Sequence, residues 1–460
     1  MVTRKQQQEM RDTRWLTMAL VTVTLGIAAG LGAMGLGLLL HFVQHIAYGY
    51  SLHAIISRES FLQGAAASSP ARRLVALCAC GSIAGIGWWA LYRFGTPLVS
   101  IRKATQGKGP RMPFLATIAH GLLQIVTVGL GSPLGREVAP REVGAVLATW
   151  LSERVGLSPE SSRIMIACGA GAGLAAIYNV PLGGTLFTLE VLLGTFNWAA
   201  LIPALATCVI ATVVAWFGLG NATQYALPSL SISPSLVLWS IATGPVFGFG
   251  AYWFVHATRT ARAHAPKNWR LPLWCGVVFP AIGLLAIPFP QLLGNGKGLA
   301  QTGFDSELGI PLAATLLLLR LVVTLGALRA GATGGLLTPG LTIGALLGIV
   351  LGSLWNHAWP GAAFGAFAII GSAAFLASSM KMPLTAIALI VEFTRIGHDF
   401  LIPISLAVAG SICIFYLCTE YNFQPVWRSG SVRISTLLSR SVDNRTHGRD
   451  RATVARRLRP

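Results

Sequence analysis

The chain has 460 residues, 54% of them apolar and only 11% charged, and its mean hydropathy is +0.65. A water-soluble fold of this length cannot bury so much apolar surface, so the composition excludes an ordinary soluble protein. The formal net charge of +19 raises the question of a nucleic-acid partner. We exclude that partner because the positive excess lies largely at the two ends of the chain.

Long uncharged stretches follow one another along the chain. They cover residues 15–57, 112–135, 164–189, 191–258 and 330–380. Several exceed the roughly 20 residues that a spanning helix needs, and the longest must hold more than one span. Because they lack the two-residue alternation of barrel strands, we predict an all-α polytopic membrane protein in contact with membrane lipid.

Basic residues flank this apolar region on both sides. Four precede the first stretch, and nine arginines lie between positions 428 and 459, against two aspartates. By the positive-inside rule, both termini are predicted to be cytoplasmic. Contact of the tail with anionic lipid head groups is an alternative, but we favour a solvated and partly disordered segment. The predicted divisions are a cytoplasmic segment 1–14, a first membrane half 15–220, a second membrane half 221–427 and a basic cytoplasmic tail 428–460.

The sequence offers little for an enzyme. The seven cysteines lie in apolar stretches without the spacing of a disulfide framework or a metal site. No grouping of His, Glu or Cys has metal-ligand spacing, and no Ser-His nucleophile pattern stands out. We therefore predict no enzyme activity, no metal and no cofactor, and keep an intramembrane enzyme with buried acids only as a competing class.

The chain contains 52 glycines and 24 prolines, and these residues interrupt the apolar stretches throughout. Uninterrupted spanning helices would not tolerate so many, so we expect broken and re-entrant helices. The predicted breaks lie at residues 95–97, 129–135, 179–181, 294–298, 331–339 and 382–383.

The two halves of the chain share a weak repeat. Segment 169–190 matches 371–392 at an offset of 202, each with a glutamate nine residues after a proline. Segment 135–140 matches 334–339 at an offset of 199, each with glycine and proline five positions apart. Two matches in the same order favour duplication over chance. In duplicated transporters the substrate site lies where the repeats meet.

Glu137 is the candidate at that meeting point. It lies in Gly135-Arg136-Glu137-Val138-Ala139-Pro140, which follows a glycine-rich stretch and precedes an apolar run, as a helix N-terminus does. The unpaired N–H groups and positive dipole of such a terminus bind anions without a cationic side chain. Residues 334–339 predict a second terminus of this kind. An ionised Glu137 can occupy the anion site and a protonated one can leave it, so we predict a proton-sensitive gate. The alternatives are that Glu137 caps its own helix or pairs with Arg136.

Other ionisable residues receive structural interpretations. We place Glu142 at an aqueous edge of its helix and interpret His120 as a core residue with satisfied hydrogen bonds. Two further glutamates are interpreted as ion-pair partners of arginines rather than as proton carriers: Glu190 and Glu392, with Arg320 or Arg329.

These motifs resemble the CLC family of chloride channels and chloride/proton antiporters, over roughly residues 74–428. Residues 135–137 are similar to the family's gating-glutamate motif, and residues 334–339 to its Gly-x-Phe-x-Pro anion motif. The resemblance implies two antiparallel halves, a homodimer with one pore per subunit, and a bacterial inner-membrane location. It also implies anion contacts from backbone N–H groups, with Glu137 as the gate: Leu336 and Leu337 at the central site, and Arg136 to Val138 nearer the outer one.

The chain departs from the family at three positions that usually carry anion ligands or a proton-transferring glutamate. Phe94 stands at the position of an anion-ligating serine, with the Thr96 hydroxyl two residues on. Trp427 stands where a tyrosine completes the site, and Val191 where antiporters commonly carry a second, inner glutamate. The resemblance implies transport of chloride or a related anion by a channel or a proton-coupled antiporter. A fluoride-exporting member of the family and an unrelated secondary transporter with repeated halves are the alternatives.

Overall fold

The computed structural model describes residues 4–49, 60–106 and 111–421, with side chains from residue 15 onward. A large compact unit, Met1–Phe415, carries every contact discussed below, and a small second unit spans Tyr416–Pro460. The predicted ligand Trp427 and the basic tail from residue 428 lie outside the described residues.

The described chain is helical. In chain order the helices are α1 (Arg4–Tyr48), α2 (Phe61–Ala67), α3 (Pro70–Phe94), α4 (Ile101–Thr105), α5 (Phe114–Gly129), α6 (Val138–Val155), α7 (Pro159–Tyr178), α8 (Pro181–Leu186), α9 (Trp198–Leu219), α10 (Pro234–Ala263), α11 (Arg270–Leu285), α12 (Lys297–Phe304), α13 (Ile310–Ala330), α14 (Leu337–Ala358), α15 (Phe364–Met380), α16 (Pro383–Thr394) and α17 (Leu401–Glu420). A π-helical segment, Phe187–Leu193, continues α8.

Eight of the described helices are long and apolar enough to cross a membrane, namely α1, α3, α7, α9, α10, α13, α14 and α17. This confirms the predicted all-α polytopic membrane fold. The first two of these spans run in opposite directions. Arg72 at the start of α3 donates from Nε to Ala47 O at 2.8 Å and from Nη2 to Ile46 O at 2.7 Å, near the end of α1. The far end of α3 therefore returns to the side on which α1 begins.

Helices end at the predicted breaks, and two of these breaks have the same construction. Asn179 (φ 59°) ends α7 in the left-handed conformation, and Pro181 opens α8. Lys381 (φ 58°) ends α15 in the same conformation, and Pro383 opens α16. A left-handed residue stops a helix, and a proline at the first position of the next helix has no N–H with which to continue the preceding one, so the chain breaks there. The two left-handed residues are 202 positions apart (381 − 179), which matches the predicted repeat.

The halves meet at two equivalent loops. Gly135 N–H donates to Gly335 O at 2.8 Å, and Gly335 N–H donates to Gly135 O at 2.9 Å. The bridge is antiparallel and joins positions 200 residues apart. Mutual bonding of two equivalent loops is what a two-fold relation produces. Each loop leads into a helix, α6 or α14, so two helix N-termini converge where the halves meet.

Glycines let the helix pair of each half approach closely. Gly144 of α6 faces the carbonyl of Gly169 in α7, and Gly344 of α14 faces the carbonyl of Gly371 in α15. A Cβ atom at Gly144 or Gly344 would overlap the opposing backbone. Small residues at crossings are a general means of packing helices in membranes.

Glu190 and Glu392 each cap a helix of the opposite half. The Glu190 carboxylate accepts from two backbone N–H groups at the start of α16, at 3.1 and 2.8 Å, and from the Thr385 hydroxyl at 2.6 Å. The Glu392 carboxylate accepts from two backbone N–H groups at the start of α8, at 3.0 and 2.6 Å. The orphan donors of each broken helix are thus satisfied by the other half.

The predicted pairing of these glutamates with Arg320 or Arg329 was therefore wrong. Arg320 donates only to backbone carbonyls in its described contacts, and the Arg329 guanidinium carbon lies 5.4 Å from the ring centroid of Trp274. A helix N-terminus offers a carboxylate several fixed donors together with a favourable dipole. That partner becomes apparent only when the two halves are folded together.

We expect the Gly144→Ala substitution to destabilise the protein, because the added methyl group meets the Gly169 carbonyl and forces α6 away from α7. Overpacking of this kind typically costs about 1–3 kcal/mol. The midpoint of thermal unfolding in detergent measures the effect. Gly35→Ala is the matched control, because a Cβ at that helical position has nothing within 4 Å. Equal midpoints for the two variants would contradict the close packing.

Loss of a reciprocal cap should also be measurable. Glu190→Ala and Glu392→Ala are each expected to lower the free energy of unfolding by about 1–3 kcal/mol, because backbone donors lose their acceptor. The corresponding Gln variants should recover part of this loss, since an amide oxygen still accepts. Thermal unfolding is again the measurement, with the exposed Glu307→Ala as control. If all three Ala variants unfold alike, the caps do not stabilise the fold.

Candidate functional site

Glu137 follows a loop that a buried arginine holds in place. The loop connects α5 to α6, and Arg320 of α13 donates from Nη2 to Pro133 O at 3.0 Å. The same guanidinium donates from Nη1 to Leu292 O at 3.1 Å and to Gly294 O at 2.9 Å. A planar guanidinium that bonds three carbonyls from two loops fixes both of them. Glu137 therefore projects from a rigid support.

The Glu137 carboxylate is fully buried and lies on a helix terminus of the other half. Its Oε1 accepts from Leu337 N–H, the first residue of α14, at 2.7 Å, and its Oε2 accepts from the Tyr178 hydroxyl at 3.3 Å. Gly135 and Gly335 leave the necessary space, because a Cβ on either would overlap the carboxylate. A negative charge thus occupies the position where a helix N-terminus favours an anion.

The two structural alternatives for Glu137 do not describe these contacts. Glu137 stands at the N-cap of α6 but makes no side-chain cap bond to that helix. Arg136 turns toward other partners: its guanidinium carbon lies 5.2 Å from the ring centroid of Tyr178, and its Nη2 donates to Gln224 Oε1 at 3.4 Å. In the part of the chain that the structure describes, no ion pair joins Glu137 to Arg136.

Two hydroxyl groups complete the surroundings of the carboxylate. The hydroxyl oxygens of Tyr178 and Thr338 are 3.0 Å apart. Both side chains are buried, one at the end of α7 and the other in the first turn of α14. The Tyr178 ring packs edge-on against Phe393, with 5.4 Å between the ring centroids. These hydroxyls are donors that either a carboxylate or a free anion can accept from.

A cavity of about 520 Å³ reaches Glu137. Its lining includes Val138 and Leu336 beside the carboxylate, together with three basic residues: Arg141, Arg262 and Lys267. Arg262 also donates from Nη2 to Gly334 O at 3.1 Å, so its charge is held next to the α14 terminus. Cationic walls raise the local concentration of anions.

A second, smaller cavity begins at the two hydroxyls. Tyr178 and Thr338 line it, together with Gln224 and with Lys297 at the start of α12. Because Glu137 lines the first cavity and its hydroxyl neighbours line the second, the carboxylate and the hydroxyl pair stand between the two spaces.

His120 and Glu142 form a pair beside the larger cavity. His120 Nδ1 lies 2.7 Å from Glu142 Oε2, and Gln124 Nε2 donates to the same oxygen at 3.1 Å. His120 Nε2 lies 3.2 Å from Thr333 Oγ1. The Glu142 side chain is 18% exposed and contacts His120 and Gln124, and its placement at an aqueous edge stays a prediction. The spacing along the chain gave no sign that α5 and α6 bring these two residues together.

Four predicted anion ligands come together at this site. Leu337 N–H contacts the carboxylate, Val138 and Leu336 line the cavity, and Arg136 immediately precedes Glu137. Their part in anion binding stays a prediction.

Phe94 and Thr96 are not brought to this place. Phe94 is 76% exposed at the end of α3 and packs edge-on against Trp89, with 5.8 Å between the ring centroids. Thr96 is exposed in the segment that follows.

Sequence reasoning missed the side chains that surround Glu137. Thr338 lies inside the motif 334–339, which we interpreted only for its backbone N–H groups. Tyr178 directly precedes the helix break at Asn179, and that position was the one signal available for it. Arg262 and Lys297 carry no local pattern, because they come from elements far along the chain.

A membrane fold of two inverted halves, whose broken helices meet at a buried carboxylate, defines a transport protein of the repeated type. The family model described as voltage gated chloride channel matches residues 80–415. The chain belongs to this family, the CLC family, as the resemblance implied.

Relatives and solved structures agree with this assignment. The chain is 30% identical over 357 residues to the voltage-gated ClC-type chloride channel ClcB of Citrobacter koseri, which covers 75% of this chain and 84% of the relative. It is 31% identical over 299 residues to the H⁺/Cl⁻ exchange transporter ClcA of Yersinia pestis, covering 63% and 62%. The fold is similar to that of a slow cyanobacterial Cl⁻/H⁺ antiporter, with a TM-score of 0.75, 20% identity, and coverage of 93% and 98%.

Proposed function

We propose that the protein transports chloride along a path that passes the Glu137 site, with the carboxylate as its gate. The observation that carries the proposal is the 2.7 Å hydrogen bond from Leu337 N–H to Glu137 Oε1. In this position the side chain acts as a tethered anion, and the donors that hold it can serve a free anion once it leaves. Chloride is favoured because both relatives described above are named for chloride.

Protonation is the proposed release step. An ionised carboxylate accepts strong, charge-assisted hydrogen bonds and interacts favourably with the α14 dipole. A neutral carboxyl group loses most of this attraction, so chloride can displace it from the donors. The site then opens more often as the pH falls, because a larger fraction of Glu137 is protonated.

The hydroxyls of Tyr178 and Thr338 are the proposed side-chain ligands of the anion. The Tyr178 hydroxyl lies 3.3 Å from Glu137 Oε2 and 3.0 Å from the Thr338 hydroxyl. Chloride accepts hydrogen bonds but donates none. Two hydroxyl groups suit it, because each can rotate its hydrogen to donate to the anion. They replace the ligands that the family resemblance placed at Phe94 and Trp427.

We place both termini and the opening of the larger cavity on the cytoplasmic side of the bacterial inner membrane. Tyr92 lines this cavity near the end of α3, which returns to the side on which α1 begins. Arg262 and Lys267 add positive charge on that side, as the positive-inside rule favours. A homodimer with one path per subunit is proposed from the family, and the mass of the protein in detergent after chemical cross-linking tests it.

The gate is tested by chloride efflux from proteoliposomes at a series of pH values. Wild-type efflux is expected to rise as the pH falls, whereas Glu137→Gln should conduct at all pH values without that dependence, because its neutral side chain imitates the protonated state. Glu153→Gln is the control on the same helix, since Glu153 pairs with Arg111 at the surface, 3.0 Å apart. Absence of chloride, fluoride and nitrate flux under every condition would contradict the proposed transport. Fluoride flux alone would change the anion.

The proposed hydroxyl ligands predict that chloride binds more weakly when either hydroxyl is removed. Tyr178→Phe and Thr338→Val are each expected to raise the half-saturating chloride concentration about tenfold, since a hydrogen bond to a charged group contributes about 1.5 kcal/mol. The Phe ring keeps the packing against Phe393. Thr149→Val is the matched control, because the Thr149 hydroxyl bonds only the carbonyl of Ala145 in its own helix. Unchanged half-saturation in both variants would rule out this role.

A further inference from the structure

We propose that Glu142 and His120 form a proton route between the cytoplasmic side and Glu137, and that it couples chloride transport to protons. This inference rests on the function proposed above, because such a route serves the gate only if Glu137 gains and loses a proton during transport. It assigns a role to two residues outside the motifs that resemble the family.

The two side chains form a continuous line toward the gate. Glu142 is partly accessible, with 18% of its side chain exposed, and its Oε2 lies 2.7 Å from His120 Nδ1. His120 is 8% exposed, and its Nε2 lies 3.2 Å from Thr333 Oγ1. Thr333 precedes Gly334-Gly335, and a Cβ on Gly335 would overlap the Glu137 carboxylate. The line thus begins at an accessible acid and ends at the edge of the gate.

An imidazole between an acid and a hydroxyl can pass a proton without a net change of charge. His120 Nδ1 takes the proton of a protonated Glu142, while Nε2 releases its own proton to the Thr333 hydroxyl or to water. Only N–H and O–H bonds form and break, and the ring changes from the Nε2–H to the Nδ1–H tautomer. A proton exchange with water, in which Nε2 gains a proton and Nδ1 loses one, restores the first tautomer before the next transfer.

The last step, from Thr333 to Glu137, crosses the larger cavity that both residues line. Its volume of about 520 Å³ has room for several water molecules, each of which occupies about 30 Å³. Gln124 lines the same cavity, is fully buried, and its Oε1 has no hydrogen-bond partner among the described residues. That oxygen is an acceptor positioned to hold water beside His120.

Charged and titratable groups line the cavity beside the pair. They are Tyr92 of α3, Arg141 of α6, Arg262 of α10, Lys267 after α10, and Glu137 itself.

Two other acids in the membrane region, Glu190 and Glu392, make structural contacts. Glu190 and Glu392 accept hydrogen bonds from the N-termini of α16 and α8, and the position after Glu190 is the apolar Val191. Glu142 instead lies 2.7 Å from His120 Nδ1 and accepts from Gln124 Nε2, and both partners line the cavity beside Glu137. It is the acid that can change its protonation without uncapping a helix.

The experiment measures chloride efflux and proton uptake together in proteoliposomes that hold the full chain. We expect Glu142→Gln to keep chloride efflux within about twofold of wild type and to reduce proton uptake about tenfold or more, the loss typical of a removed proton-transfer group. Glu142→Asp should recover part of the proton uptake. Glu153→Gln, an exposed acid on the same helix, is the matched control and should leave both fluxes unchanged.

His120→Gln is the second variant and should give the same separation of the two fluxes, so the test does not depend on Glu142→Gln folding well. Proton uptake at the wild-type level in Glu142→Gln or His120→Gln overturns the route. Wild-type chloride flux without any proton uptake also overturns it, while leaving the anion path intact. Absence of chloride flux in every variant, including Glu137→Gln, is instead the failure of the proposed function.

Discussion

The hydrogen bond from Leu337 N–H to the Glu137 carboxylate joins the two halves of the molecule, and the rest of the site depends on it. This bond meets a requirement of the lipid environment, in which backbone N–H groups must find partners within the protein. A helix broken inside a membrane leaves N–H groups without partners, and no bulk water is available to satisfy them. In this chain each half provides acceptors for the other, at Glu137, at the Gly135–Gly335 bridge, and at Glu190 and Glu392. The proposed substrate site lies at one of these shared termini.

The acceptors differ in the number of hydrogen bonds that hold them, and this difference separates the proposed gate from the structural caps. Glu190 receives three hydrogen bonds from the start of α16, and Glu392 receives two from α8, in addition to the helix dipoles. Glu137 receives one backbone N–H and one hydroxyl at the longer distance of 3.3 Å, and a cavity lies beside it. Replacing Glu137 by another anion therefore costs less than replacing the other two carboxylates.

Much of the fold was predictable from the sequence, because its determinants are local. Glycine and proline mark the breaks, and the repeat offset pairs them, so the meeting of 135–140 with 334–339 followed from the sequence. Contacts between halves have no local signature, and for that reason the partners of Glu190 and Glu392 were misassigned to arginines. The hydroxyl of Tyr178 and the meeting of His120 with Glu142 were missed for the same reason. Phe94 was placed by motif alignment, whereas its exposure depends on where α3 ends.

The two halves carry different side chains at corresponding places, and this difference makes the two sides of the site unequal. Arg320 contacts the loop at Pro133, and His120 contacts the loop at Thr333, so two residues 200 positions apart make equivalent contacts to loops 200 positions apart. One copy of the contact uses a guanidinium that stays charged and bonds backbone carbonyls, which holds its loop rigidly. The other uses an imidazole that can change its protonation and bonds a hydroxyl. The two contacts therefore differ in kind: Arg320 fixes the loop at Pro133, whereas His120, at Thr333, can take part in the proposed proton transfer.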